Sequence, residues 1–202
     1  MSHKLEVAFT QGTTLLSKSI SKVSKMINRS NYDGKFIPSH TLLILDDHII
    51  FESSTYKQDD EKTKVFEKGT RILEVTDVDE QKEKTIVCKT VISDNCDPYL
   101  ALKYVARASN YHYSYNSIFK FLSRGHLRKD TGKRKDEYIC SGLVLDALRE
   151  PIFNNNVAIR KVTSKFEGYD SNSVTPLDLY LAMAEAGFNF KQTKGFTSVS
   201  NL

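Results

Sequence analysis

The sequence predicts an α+β domain in which a small antiparallel sheet packs against helices. Three patterns carry that expectation. Two β-rich runs, SHTLLIL at 39–45 and IIFES at 49–53, flank the acidic turn Asp46-Asp47-His48, as in an antiparallel hairpin. Apolar residues at spacings of three and four recur before and after this pair, as on the buried face of a helix. Two later segments carry helix punctuation: a proline at Pro151 closes one, and Thr175-Pro176 opens another.

Taken in order, residues 5–9 read as a strand, and Gln11 with Gly12 as a turn. A helix follows with Thr13 as its cap, and Leu16, Ile20, Val23 and Ile27 lie along one face. Residues 28–35 are rich in Asn, Ser, Asp and Gly and stop it. In the hairpin, a three-residue loop pairs Leu45 with Ile49 and sets His40 diagonally across from Glu52 on one face. A two-residue loop instead sends Glu52 to the opposite face. Residues 57–84 are heavily charged, with short β-like pieces near Val65 and at 71–75. The run TIVCKTVI at 85–92 alternates and is β-branched, so it reads as a strand. Asp97 and Pro98 start a helix with Leu102, Val105 and Ala106 as its stripe. Next come the aromatic segment Tyr111-His112-Tyr113-Ser114-Tyr115 and the apolar residues 118–122. A helix at 138–149 buries Cys140, Leu143, Val144, Ala147 and Leu148. The last helix, capped by Thr175 with Asp178 near its positive end, buries Leu177, Tyr180, Leu181 and Ala184 and stops at Gly187. Residues 190–202 read as a loosely held polar tail on a single domain spanning 1–202.

Composition bounds the function. An apolar fraction of 40% and a charged fraction of 27% in 202 residues describe a folded globular chain. At this length folding buries roughly 70% of the unfolded surface, so no disulfide or metal staple is required. No run approaches the roughly 18 to 20 apolar residues of a membrane span, and no secretory signal is legible at the N-terminus. A cytoplasmic location is the default expectation, compatible with release by lysis or with virion association. The three cysteines form no CxxC pair and no zinc-finger spacing, which points to a reducing compartment and away from a structural zinc site or a disulfide framework; a cysteine–histidine pair would need no metal or organic cofactor. The net charge of +4 leaves one concentrated basic stretch, RGHLRKDTGKRKD at 124–136. It reads as a solvated loop or as a patch for an anionic partner, formed by Arg128, Lys129, Lys133, Arg134 and Lys135. No aromatic residues are interleaved with those charges, so base stacking on nucleic acid is disfavoured.

Cys140 stands at the first turn of its predicted helix, where unpaired N–H groups and the helix dipole favour a thiolate. Its backbone N–H is also placed to donate to an oxyanion. The plain alternative is a small core side chain, the commonest place for a free cysteine. His40 opens an apolar strand, either as a structural residue or as the general base that a nucleophilic cysteine requires. Glu52 is the natural group to orient that imidazole. His3, His48, His112 and His126 fall in a terminus, turns and loops, and Cys88 and Cys96 read as structural.

These segments together resemble the circularly permuted branch of NlpC-type papain-like cysteine hydrolases, particularly the YiiX-like group, with lecithin:retinol acyltransferases as more distant relatives. The resemblance runs in order through VAFTQGTTLLSKSISKVSK, SHTLLIL, IIFES, NYHYSYNSIF, EYICSGLVLDAL and TPLDLYLAM. It implies a permuted papain-like domain and a Cys140–His40–Glu52 triad, with histidine before cysteine in the chain. In the aromatic segment, Tyr113 and Tyr115 are the expected substrate contacts. The chain departs from the family in having Gly142 where a Glu commonly stands two residues after the cysteine. A second departure is the row of Tyr and His where the aromatic segment usually carries Gly and Asp. The implied activity is cleavage of an amide or ester through an acyl-enzyme, on a cell-wall peptide or a lipid-acyl substrate, with the basic loop suited to anionic headgroups. The rival reading is a non-catalytic structural or binding protein, such as a phage or virion component, that uses the basic loop for anionic partners.

Overall fold

A computed structural model describes residues 4–12, 15–28, 34–45, 49–60, 63–74, 86–94, 98–108, 111–114, 117–118, 127–131, 137–151 and 156–194. The β-rich runs form β1 (Leu5–Gln11), β2 (His40–Leu45), β3 (Ile49–Asp60), β4 (Thr63–Glu74) and β5 (Ile86–Ser93). Together with β8 (Lys191–Lys194) they make a six-stranded sheet in the order β4-β3-β2-β1-β5-β8. Every neighbouring pair is antiparallel.

This sheet is larger than the sequence predicts, for two reasons. First, the charged stretch expected to hold only short β-like pieces continues the hairpin, so that β3 pairs with β4 from Ile49↔Glu74 to Asp60↔Thr63. Second, the predicted polar tail is built into the fold through residue 194. Lys191–Lys194 pairs with the outer side of β5. Phe190 stacks at 4.6 Å from Tyr180 and meets Phe9 edge-on at 5.7 Å, which anchors that edge strand by its apolar neighbour.

Alternation along β2 sends Leu43 and Leu45 to one face and Leu42 and Ile44 to the other. Both sets are buried. The first joins the main core with Phe9, Phe51 and the helices, and the second clusters with Ala8, Ile50 and Val87. Burial on both faces explains why this strand reads as an unbroken apolar run.

Five helices occur among the described residues: α1 (Leu15–Ile27), α2 (Pro98–Ala108), α3 (Cys140–Arg149), α4 (Val157–Lys165) and α5 (Pro176–Glu185). Pro98 is the first residue of α2, as its fixed φ favours. Thr175 and Asp178 form a reciprocal capping box on α5, with Thr175 N–H donating to the Asp178 carboxylate at 2.8 Å. α4 is not predicted, although Asn156 caps it by accepting the Ala158 N–H and Ile159, Val162 and Thr163 form its buried face.

Some predicted faces are rotated. In α1, Leu16 is exposed and Ser24 is buried; this helix meets α5 through a polar contact, Asn28 Nδ2 donating to Asp178 Oδ1 at 3.0 Å. Ala106 and Ala184 are exposed, and α5 buries Leu179, Ala182 and Met183 beside Leu177. Among the described residues, no helix is long and apolar enough to cross a membrane. A short parallel pair, β6 (His112–Tyr113) and β7 (Glu137–Tyr138), leads directly into α3, which packs against β2 and β3.

Candidate active site

Cys140 is the first residue of α3, and the backbone that delivers it is held on two sides. The Tyr138 carbonyl accepts from the Ser53 hydroxyl at 2.8 Å and from the Ser114 N–H at 3.0 Å. Asn172 donates from Nδ2 to the Glu137 carbonyl at 2.9 Å and accepts the Ile139 N–H on Oδ1 at 3.0 Å. Ile139 is the N-cap in extended conformation, and its own side chain makes no capping bond. Beyond the cysteine, the Ser141 hydroxyl donates to the Val174 carbonyl at 2.6 Å. Cys140 is buried, with 3% of its surface exposed.

His40 opens β2 opposite Thr10 of β1. Its neighbour Ser39 is pinned there, since its N–H donates to the Thr10 carbonyl at 2.9 Å and its hydroxyl accepts the Gly12 N–H at 3.2 Å. The β2–β3 register is Leu45↔Ile49, Ile44↔Ile50 and Leu43↔Phe51. That is the three-residue-loop alternative, and it brings His40 diagonally to Glu52. His40 Nε2 lies 2.5 Å from Glu52 Oε2. The other oxygen of Glu52 accepts from Arg71 Nε at 2.9 Å and Nη2 at 2.6 Å. Arg71 stands directly opposite Glu52 in the β3–β4 ladder. Glu52 is 1% exposed, so its charge is held by these partners rather than by water.

Burial by itself would push the His40 pKa down, but the neighbouring Cys140 sulfur and then the Glu52 carboxylate outweigh it and raise His40 from 6.5 to about 9. The structure therefore brings Cys140, His40 and Glu52 together, and adds Arg71 behind the carboxylate.

The remaining predicted site residues fare differently. Tyr113 is 8% exposed in β6 and offers little surface to a substrate, because its strand is paired and covered. Tyr115 lies outside the described residues. Arg128 faces Asp170 at 3.6 Å, and its backbone bonds Ser173 and Asp170, so it is part of an internal turn rather than a presented anion-binding group. Lys129 is exposed beside its bridge to Tyr169, whereas Lys133, Arg134 and Lys135 lie outside the described residues. Cys88 is buried in the core, where burial pushes its thiol up to about 11; His112 is exposed on β6. Cys96, His3, His48 and His126 lie outside the described residues.

A cleft of about 400 Å³ runs beside α3, lined by Tyr104, Arg107, Tyr138, Asp146, Arg149 and Glu150 among others. Its charges are satisfied in pairs, Arg107–Glu150 at 2.8 Å and Arg149–Asp146 at 3.0 Å, and Cys140 does not line it. Among the described residues, no cluster of three or more His, Cys, Asp or Glu side chains is placed to hold a metal ion. Comparison with protein-family models, with curated proteins and with solved structures finds no match for this chain.

Proposed function

We propose that the protein is a thiol hydrolase that cleaves an amide or ester through Cys140, His40 and Glu52. The observation that carries this reading is one imidazole held between two groups. Glu52 lies 2.5 Å from Nε2, and Cys140 at the start of α3 is close enough to the same ring to act on its charge. That is the nucleophile, base and orienter arrangement of covalent catalysis.

His40 takes the proton of the Cys140 thiol. The sulfur attacks the substrate carbonyl carbon, and the carbon–oxygen double bond opens to an oxyanion at the N-terminus of α3. Collapse breaks the bond to nitrogen or oxygen, and the leaving group departs with the His40 proton. The thioester is then attacked by water, whose proton returns to His40, and the acid and thiolate are released. Glu52 keeps the imidazole oriented throughout and stabilises its positive form, and no cofactor enters the sequence. The resemblance to permuted NlpC-type hydrolases favours a cell-wall peptide or a lipid-acyl substrate, and a papain-like ancestry for the domain.

The test is the alkylation rate of Cys140 against pH, followed by peptide mapping, in wild type and His40→Ala. Rapid labelling that persists well below the ordinary thiol pKa of about 8.5, and that slows in the variant, is the expected result. An ordinary thiol titration indifferent to His40 refutes the reading and returns the chain to the non-catalytic, anion-binding alternative. Screening the same protein against muropeptides and phospholipid esters then separates the two substrate classes.

A further inference from the structure

The first turn of α3 lacks the side chain that would normally complete its cap. In a capping box, the N3 side chain reaches back to accept the N-cap N–H. Here the N-cap is Ile139 and N3 is Gly142, which has nothing to reach with. The acceptor comes instead from Asn172, thirty-three residues away in sequence, in the 3-10 turn Ser171–Ser173. Its Oδ1 takes the Ile139 N–H and its Nδ2 donates to the Glu137 carbonyl. One amide thus bonds the two backbone groups that flank Tyr138, as the peptide of a neighbouring strand would. Turning the amide over would set oxygen against oxygen and N–H against N–H, so its orientation is fixed by its partners.

Asn172 is itself immobilised. It is 5% exposed, and its own N–H donates to the Asp170 carboxylate at 3.1 Å. It also fills the space that a residue 142 side chain would need. A Cβ on Gly142 would drive into Asn172 Oδ1 and come within 3.2 Å of the Asn172 backbone nitrogen and 3.3 Å of its Cα.

We propose that Asn172 is a positioning residue for Cys140, supplying the absent N3 acceptor as a neutral amide. It fixes the first turn of α3 without setting an anion beside the thiolate. A Glu at N3 would cap the same N–H and oppose the sulfur's negative charge. This role rests on the thiol-hydrolase reading.

Asn172→Asp keeps an acceptor for the Ile139 N–H, loses the donor to the Glu137 carbonyl and adds a charge at the first turn of α3. Gly142→Ala displaces the amide without changing its chemistry. Both are compared with wild type and His40→Ala for Cys140 alkylation by iodoacetamide from pH 5 to 10, below each variant's own melting temperature. The expected result for Asn172→Asp is labelling at pH 6 slowed at least about tenfold, with the rise in rate displaced to higher pH. Such a displacement is what a like charge next to a thiolate produces. Gly142→Ala is expected to slow labelling as well, and it carries the test alone if Asn172→Asp does not fold. A lowered melting temperature with a wild-type pH profile marks Asn172 as merely structural and overturns the proposal. An ordinary thiol profile in wild type, unmoved by His40→Ala, instead overturns the hydrolase reading on which the proposal stands.

Discussion

Replacing Glu52 with Gln keeps the shape of the side chain and removes the carboxylate that helps to hold the His40 proton. In wild type His40 is raised from 6.5 to about 9. At 1.36 kcal/mol per unit this is about 3 kcal/mol of net preference for the charged ring, after the cost of burial has been met. Both the sulfur and Glu52 push in this direction. Loss of the carboxylate therefore lowers the His40 titration by at least about one unit, or tenfold in the protonation constant, while the sulfur keeps it from collapsing. The residual Arg71 cation pushes the same way, since its carboxylate partner is gone.

The assay is the ring-proton NMR titration of His40, paired with alkylation by iodoacetate, an anionic reagent whose rate falls as the imidazolium is lost. Both curves must move together to lower pH in Glu52→Gln. Stability follows the same linkage. A group raised in the folded state contributes fully below its unfolded value of 6.5, and that contribution is lost as pH rises through about 9. The stability gap between wild type and variant should accordingly narrow across that window. A His40 titration identical in the two proteins would refute the idea that Glu52 acts on the imidazole.

Other perturbations reach different parts of the same construction. Arg71→Met removes a cation paired with a carboxylate that is 1% exposed, so it should cost about 3 kcal/mol by chemical denaturation. His40 should titrate higher in this variant, because the imidazolium carries more of the carboxylate's charge balance. Gly142→Ala forces the backbone of α3 or of the 171–173 turn to shift, an overpacking of about 1–3 kcal/mol. For a chain of this length the melting temperature then falls by roughly 2–4 °C for each kcal/mol, measured by calorimetry. Phe190→Ala removes the ring contacts to Tyr180 and Phe9 and should destabilise by about 2 kcal/mol. It should also speed hydrogen exchange of the β5 amides facing β8; exchange as slow as wild type would mean that residues 191–194 are not held by Phe190.

The parts of the fold legible in the sequence are those with a local cause. The capping box at Thr175 and the proline start of α2 need only a few consecutive residues. The outer hairpin was not legible, because residues 55–68 carry charges without alternation and their pairing is decided by continuation from Ile49↔Glu74. The β2–β3 register had the same difficulty. A run such as TLLIL is buried on both faces, so a slip of one residue changes no hydrophobic pattern. Only the observed Leu45↔Ile49 pairing selects the register that lets His40 meet Glu52.

The candidate site divides along a related line. Cys140, His40 and Glu52 could be proposed because chemistry names the partners each requires and because the segments that carry them resemble a known family. Arg71, Asn172 and Ser53 could not, since each has an ordinary reading in its own segment: a charge in a charged strand, an Asn in a Ser-Asn-Ser turn, a Ser in a hairpin. Two of them, Asn172 and Ser53, act on backbone N–H and C=O groups that every residue carries, so no side-chain pattern announces them. The nearest signal was a negative one. Gly142 stands where the resembling family commonly has Glu, and that absence leaves room for Asn172. A departure from a family pattern at N3 of a nucleophile helix is therefore a place to search for an acceptor arriving from elsewhere in the chain. Around Ile139 the acceptor is supplied by Asn172, from elsewhere in the chain.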